Sequence, residues 1–312
     1  MYSIISTNFW PILFIRESMS MNSLAVFMQS TLLVLTGFCF PLAAQELSAL
    51  KFVDSLENPL GGYWPNLGAK GKSSSLRATV AALRVYKYEG KALPNFEKHR
   101  DFMLSCWHDE DAAFADFLGG PTDVILAAVG LMGARDGVFL NDEKRALGTK
   151  YLVNNAKNFE EIRMASAFLA DEPHDAKVAE SWQKTILARA NKDGTYGSGF
   201  SKPRDSASAW VTLLRLKYPL KNDEKLSKDF RMKDGGFGSE SSDRSDLETA
   251  YRVSRYFHMV KDQKMLSETI GFIETCRNED GGYGPRPGEK SSLGSTYHAI
   301  IIKKWADPRF QK

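Results

Sequence analysis

The amino-acid sequence predicts an all-α protein assembled from about six copies of a helix-pair repeat. Three observations predict it. A glycine-rich turn carrying one aromatic recurs along the chain. The segments between turns show the three- and four-residue spacing of amphipathic helices. An Asp or Ser stands ahead of each second helix, where a cap belongs.

The last turn is Asp280-Gly281-Gly282-Tyr283-Gly284, followed by Ser291-Ser292-Leu293-Gly294-Ser295-Thr296-Tyr297. Upstream stand Asp234-Gly235-Gly236-Phe237-Gly238, with Ser245-Asp246-Leu247-Glu248-Thr249-Ala250-Tyr251, and Asp193-Gly194-Thr195-Tyr196-Gly197, with Asp205-Ser206-Ala207-Ser208-Ala209-Trp210. Two copies are worn: Asp111-Ala112-Ala113-Phe114 with Asp123-Val124-Ile125-Leu126, and Gly61-Gly62-Tyr63 with Ser75-Leu76-Arg77-Ala78-Thr79. The 82 residues between Phe114 and Tyr196 are twice the 41 that separate Tyr196 from Phe237, so a degenerate sixth copy is expected around Phe159 and Glu160–Leu169.

Each copy reads the same way physically. A first apolar helix ends, glycine accepts positive φ in the turn, and the aromatic folds back onto the core. The cap position lies five residues before Tyr251, Tyr297 or Trp210, which marks Asp246, Ser292 and Asp205. Second helices then follow over Val124–Met132, Ala209–Leu216 and Thr296–Trp305. Leu266, Ile270 and Ile273 show helical spacing rather than strand alternation.

A hydrophobic content of 43% supplies a substantial core and excludes a wholly disordered chain. The balance of 41 Lys+Arg against 38 Asp+Glu is too even to point to nucleic acid. The first 44 residues carry only two charges, Arg16 and Glu17. Their apolar run from Leu24 ends in Pro41-Leu42-Ala43-Ala44, which reads as a signal peptide cleaved before Gln45. The alternative is a membrane anchor, because about 20 apolar residues span a bilayer. Residues 45–312 are expected to form one domain, exported to the periplasm or secreted, with no stable membrane span in the mature chain. Cys39 does not fit a lipoprotein cleavage site, and removal of the leader leaves only Cys106 and Cys276. These two close the first helices of their units and read as buried packers rather than a disulfide.

The series Asp-Gly-Gly-aromatic-Gly, loop, Ser-x-x-x-Thr-Tyr-x-Ala resembles the repeat of protein prenyltransferase β-subunits and squalene-type terpenoid cyclases. The resemblance covers residues 50–305 and is strongest over 233–305. It implies an α6–α6 barrel (α/α toroid), with six inner helices around a cavity and six outer helices enclosing them. It further implies that chemistry sits at the N-terminal ends of the inner helices, where free N–H groups favour anions. The matching positions nominate Asp123, Glu161, Asp205, Asp246 and Glu248 as catalytic candidates, and Arg77, Arg163 and Arg204 as ligand-binding candidates. Asp123, Asp205 and Asp246 are equally explained as N-caps or first-turn acids, and Arg77 and Arg163 as partners of nearby carboxylates.

Zinc-dependent prenyl transfer, by this resemblance, needs an Asp-x-Cys-Tyr set and a later His. The aligned positions hold Ala207–Trp210, Glu248–Tyr251 and Gly294–Tyr297, and His298 is expected to point away, so no cofactor is expected. His99, His108, His174 and His258 have no spacing suited to a metal or a relay. Asp109-Glu110-Asp111, a superficial match to the cyclase Asp-x-Asp-Asp acid, falls on the turn at the rim. Three roles remain open. They are an isoprenoid-like or other hydrophobic ligand held in an apolar, aromatic-lined cavity, with prenyltransferase-like or terpenoid-cyclase-like activity left open, a binding protein or scaffold without chemistry, and a periplasmic enzyme acting on polysaccharide. Export argues against ordinary cysteine prenylation, and no protein partner is indicated.

Overall fold

The recurring Asp is the first determinant of the architecture. A computed structural model of the chain describes residues 48–173, 175–220, 230–239 and 242–310. Residues 1–44, with Cys39, and His174 lie outside the described residues. The Asp280 carboxylate accepts hydrogen bonds from Gly282 N (2.9 Å) and Ser291 Oγ (2.8 Å), which ties the turn to the loop before the next helix. Asp234 does the same with Gly236 N (3.0 Å) and Ser245 Oγ (2.7 Å). The first glycine of each turn is left-handed, with φ of 82° at Gly281 and 85° at Gly235. The second has no room for a side chain, since a Cβ on Gly236 would lie 2.6 Å from that of Ser245. The aromatic then donates its backbone N–H to a hydroxyl one turn into the second helix: Tyr283 to Thr296 (3.1 Å), Tyr63 to Thr79 (3.0 Å) and Tyr196 to Ser206 (2.8 Å). Its ring is buried in the core, as are those of Phe114 and Phe237.

Among the described residues there are eleven α-helices: α1 Ala49–Asp54, α2 Leu76–Tyr88, α3 Phe96–Ser105, α4 Val124–Gly137, α5 Asp142–Asn155, α6 Phe159–Leu169, α7 Ala176–Leu187, α8 Lys202–Arg215, α9 Leu247–Met259, α10 Gln263–Thr275 and α11 Leu293–Ala306. Two short antiparallel hairpins complete them, β1 Trp107–His108 with β2 Ala113–Phe114, and β3 Gly238–Ser239 with β4 Ser242–Ser245. Helices α2, α4, α6, α8, α9 and α11 pack each on the next, and α11 packs on α2, so the six form a closed inner ring. The degenerate copy is present as α5 and α6. Closure is reinforced at the rim, where Leu293 N donates to Pro65 O (2.9 Å), just as Leu76 N donates to Asp116 O (2.7 Å) and Leu247 N to Pro285 O (2.9 Å). These bonds hold the N-terminal ends of the inner helices at one rim of the ring. None of the described helices is long and apolar enough to cross a membrane.

The second helices are longer than their apolar cores suggest, because the caps lie further out. Asp123, Asp246 and Ser292 cap α4, α9 and α11 through the backbone N–H groups of Leu126, Thr249 and Ser295. Asp205 is the first-turn acid rather than the cap of its helix, the second of the two roles expected for it. Helix α8 starts at Lys202, after a single 3₁₀ turn at Gly199–Ser201 and with a proline near its N-terminus, so Asp205 falls inside the first turn. Cys106 and Cys276 are buried free thiols at the ends of α3 and α10. Burial lifts both to about 12, which removes them from nucleophilic chemistry.

Candidate functional site

Residues at positions i, i+4, i+7 and i+11 share one face of a helix, because each residue turns the chain by about 100°. Every inner helix points such a stripe at the ring axis. On α2 it is Arg77, Ala81, Arg84 and Tyr88, and on α9 it is Glu248, Arg252, Arg255 and Met259. Helix α8 contributes Ser208, Val211 and Arg215, α4 Val129, Met132 and Asp136, and α11 Gly294 and His298. Together with Met164 and Ala167 of α6 they enclose a central cavity of about 540 Å³. Eight basic side chains and three acidic ones line it, a net excess of five positive charges. The expectation of apolar walls is therefore corrected. Val129, Met132, Met164 and Ala167 make one side apolar, while the opposite side carries arginine and tyrosine.

The N-terminal mouth is electrostatically closed on itself. Glu160 accepts from Arg163 Nε (2.8 Å) and Nη2 (2.7 Å), and from Arg252 Nη1 (3.1 Å). Glu248 accepts from Arg252 Nη2 (2.8 Å) and Arg204 Nη2 (3.3 Å). Both carboxyls titrate below the ordinary range. Burial alone would raise them, but Arg163 and Arg252 overcome it at Glu160, and Arg252 and Arg204 at Glu248. Arg77 stands exposed at the same rim.

Deeper in, the balance changes. Arg84 donates to Asp136 (2.8 Å), which also takes Lys87 (2.8 Å). Arg215 and Arg255 meet no carboxylate among the described residues. Burial and then the neighbouring Arg255 bring the Arg215 guanidinium down to about 9. Arg255 instead donates to Tyr251 Oη and lies 4.9 Å from the centroids of both Tyr251 and Trp305. Tyr251 stacks on His298 at 4.3 Å, and its hydroxyl lies 3.4 Å from that of Tyr297. Burial works to raise Tyr251, yet Arg255, the contact with Tyr297 and Arg84 bring it down to about 8. Tyr297 moves the other way, raised first by burial and then by Tyr251.

His298 is a further correction. It is the i+4 member of the α11 stripe counted from Gly294, so it faces the cavity instead of pointing away. Burial holds its imidazole at about 4, hence neutral at physiological pH. The zinc ligand set implied by the resemblance does not assemble here. Glu248 is committed to two arginines and His298 to stacking. Among the described residues no group of three His, Cys, Asp or Glu side chains could hold a metal ion.

Of the eight candidate residues, Arg77, Arg163 and Glu248 line the cavity. Arg204 reaches it through Glu248. Asp123 and Asp246 are caps, Glu161 closes a capping box with Asn158, and Asp205 accepts from Ser201 Oγ (3.1 Å). Asp109, Glu110 and Asp111 sit on the exposed turn between β1 and β2, with Asp109 held by Lys144 and Trp107. The side chains missed from the sequence are Arg84, Glu160, Arg215, Tyr251, Arg252, Arg255 and Tyr297. The inward stripe is the signal that finds Arg84, Arg215, Arg252 and Arg255, because it extends the first-turn positions down each helix.

Comparison with known proteins fits this geometry. The prenyltransferase alpha-alpha toroid domain matches residues 6–135 and 162–309. No curated protein matches in sequence. Among solved structures, the chain is similar to Candida albicans protein geranylgeranyltransferase-I complexed with GGPP, at 15% identity and TM-score 0.58, covering 80% of this chain and 89% of that one. It is also similar to an alpha-amylase from Clostridium perfringens, at 12% identity and TM-score 0.57, covering 83% and 97%. A type II terpene cyclase from Scytonema, in complex with merosterolic acid A, gives 11% identity and TM-score 0.55, covering 82% and 94%. At these identities the likeness is one of fold.

Proposed function

The chain belongs to the prenyltransferase α/α-toroid family, and from that premise we propose that its central cavity binds an isoprenoid phosphate or diphosphate. The observation that carries this reading is the pair of arginines, Arg215 and Arg255, that converge on the cavity and pair with no carboxylate among the described residues. Guanidinium groups recognise phosphate oxygens in a planar, bidentate manner, and a low-dielectric wall strengthens the attraction. The apolar wall of Val129, Met132, Met164 and Ala167 faces them and suits a prenyl chain. A volume near 540 Å³ lies within the about 300–1,000 Å³ of small-molecule sites. Prenylation of a protein cysteine is not part of the proposal, because the zinc ligands for a thiolate do not assemble.

An acidic sugar is the competing occupant, favoured by the stacked Tyr251, His298 and Trp305 rings. Calorimetry with geranylgeranyl diphosphate, geranylgeraniol and an oligouronate separates the two. The proposal expects the diphosphate to bind at least about 100-fold more tightly than the alcohol, which two charge-assisted contacts supply. Equal binding of alcohol and diphosphate, or binding of the uronate alone, overturns it.

We also propose that the protein is exported and begins at Gln45, on the strength of the apolar run ending at Ala44. The intact mass of the protein from the extracytoplasmic fraction tests this. A mass that retains residues 1–44 overturns it.

A further inference from the structure

A buried guanidinium is stabilised by a polar or charged partner, and the deep pocket supplies Arg255 with an unusual one. Arg84 has Asp136. Arg255, which meets no carboxylate among the described residues, has a phenol. Its Nη2 donates to Tyr251 Oη, and its guanidinium carbon lies 4.9 Å from the centre of the same ring. Packing restrains Tyr251, because its ring stacks with those of His298 and Trp305 at 4.3 and 5.8 Å. Its hydroxyl is 3.4 Å from that of Tyr297, so one proton can serve both oxygens.

We infer that Tyr251 is the specificity-determining residue of the arginine pocket: it holds the exchangeable negative charge on Arg255, and an incoming ligand anion replaces that charge while a proton returns to Tyr251 Oη. The reaction is an exchange of ionic partners with no covalent step. Before binding, above about pH 8, phenolate oxygen faces Arg255. After binding, a phosphate oxygen does, and the phenol donates to it. The inference rests on the reading of the cavity as an anion site and adds the rule that sets its affinity.

The surrounding groups leave Tyr251 as the one that titrates. From α9 itself, Glu248 and Arg252 are engaged with each other and with Glu160 and Arg204. From α11, His298 stays neutral, held at about 4, and burial keeps Tyr297 protonated. From α2, Arg84 is paired with Asp136, and burial holds Tyr88 above the usual phenol range. From α6, Arg163 is fixed by Glu160. From α8 comes Arg215, the one competitor, brought down to about 9. Tyr251, near 8, is ahead of it. Because ligand binding raises the Tyr251 value, affinity is complete below about pH 8 and falls as pH rises above it, by up to about tenfold per unit.

The test uses the mature chain and two probes, geranylgeranyl diphosphate and sulfate, neither of which exchanges protons between pH 7.5 and 9.5. Calorimetry at pH 9 in two buffers of different ionisation enthalpy should show uptake of nearly one proton per anion bound. Absorbance at 295 nm should fall on binding as the phenolate disappears. Tyr251→Phe should bind both probes with no tyrosinate signal and should lose at most about twofold in affinity between pH 7.5 and 9, against about eightfold for the wild type. Persistence of the pH dependence in Tyr251→Phe assigns it to Arg215 and overturns the inference, as does wild-type binding without proton uptake or a change at 295 nm. Proton-independent binding of the diphosphate sinks this inference alone. Proton-coupled binding of sulfate without binding of the diphosphate sinks only the isoprenoid reading.

Discussion

Two belts of arginine lie along one cavity, and their charges are compensated differently. At the mouth, Arg163, Arg204 and Arg252 share Glu160 and Glu248, so their charge is spent on joining α6, α8 and α9. Deeper, about three turns below Arg204 on α8 and under one turn below Arg252 on α9, stand Arg215 and Arg255; Arg255 lies over the Tyr251 ring, and neither meets a carboxylate among the described residues. The count of arginines is similar in the two belts; the difference is compensation. A compensated arginine braces the ring, whereas an uncompensated one at a cavity wall is available to a ligand.

The largest effect that would sharpen this contrast is on ligand affinity. Replacing Arg215 and Arg255 together by Ala should weaken geranylgeranyl diphosphate at least about 100-fold in calorimetry, since each guanidinium–phosphate contact contributes about 1.5–3 kcal/mol. Arg163→Ala, in the mouth, should change affinity by less than about fivefold. Comparable losses from both would erase the distinction between the belts.

Stability should show the reverse order. Arg252 is only 10% exposed at its side chain and bridges Glu160 to Glu248, so Arg252→Ala cuts the link between α6 and α9 and leaves each carboxylate with a single arginine, Arg163 or Arg204. A loss of about 2 kcal/mol in chemical denaturation is expected, against less than about 1 kcal/mol for Arg215→Ala. A larger loss from Arg215→Ala would mean that the deep belt is structural.

The belts should also answer to different ends of the pH scale. Glu160 and Glu248 have folded-state values below those of the unfolded chain, so their stabilisation is complete above about pH 4.5 and is lost as pH falls through the folded values. Thermal melts from pH 7 to 3 should show that loss, and Arg252→Ala should flatten it. Ligand affinity should fail at the alkaline end, near the Tyr251 value of about 8. A single pH range for both losses would join the two belts into one system.

The smallest effect belongs to the caps. Glu161→Gln keeps the capping-box geometry of Asn158 and removes only a charge at the start of α6, where it helps by about 0.3–1 kcal/mol. Ligand affinity should stay within about twofold. A tenfold change would return Glu161 to the site.

The sequence by itself determined the repeat, the six inner helices and the rim. Asp-Gly-Gly-aromatic turns and the Ser/Thr one turn into each helix are local rules, satisfied by residues within 16 positions of one another. For the same reason Asp123 and Asp246 were legible as caps, and even the worn copy at Phe159 announced itself by spacing alone. What the tertiary structure decided is which arginines are already satisfied. Glu160 and Arg252 are 92 residues apart and meet because the ring closes, whereas Arg255 has a tyrosine where Arg252 has glutamates. Compensation of a charge depends on the distance and burial of a partner elsewhere in the chain. No local pattern encodes either, so the sequence pointed to the mouth, whereas the closed ring is what leaves Arg215 and Arg255 without a carboxylate among the described residues.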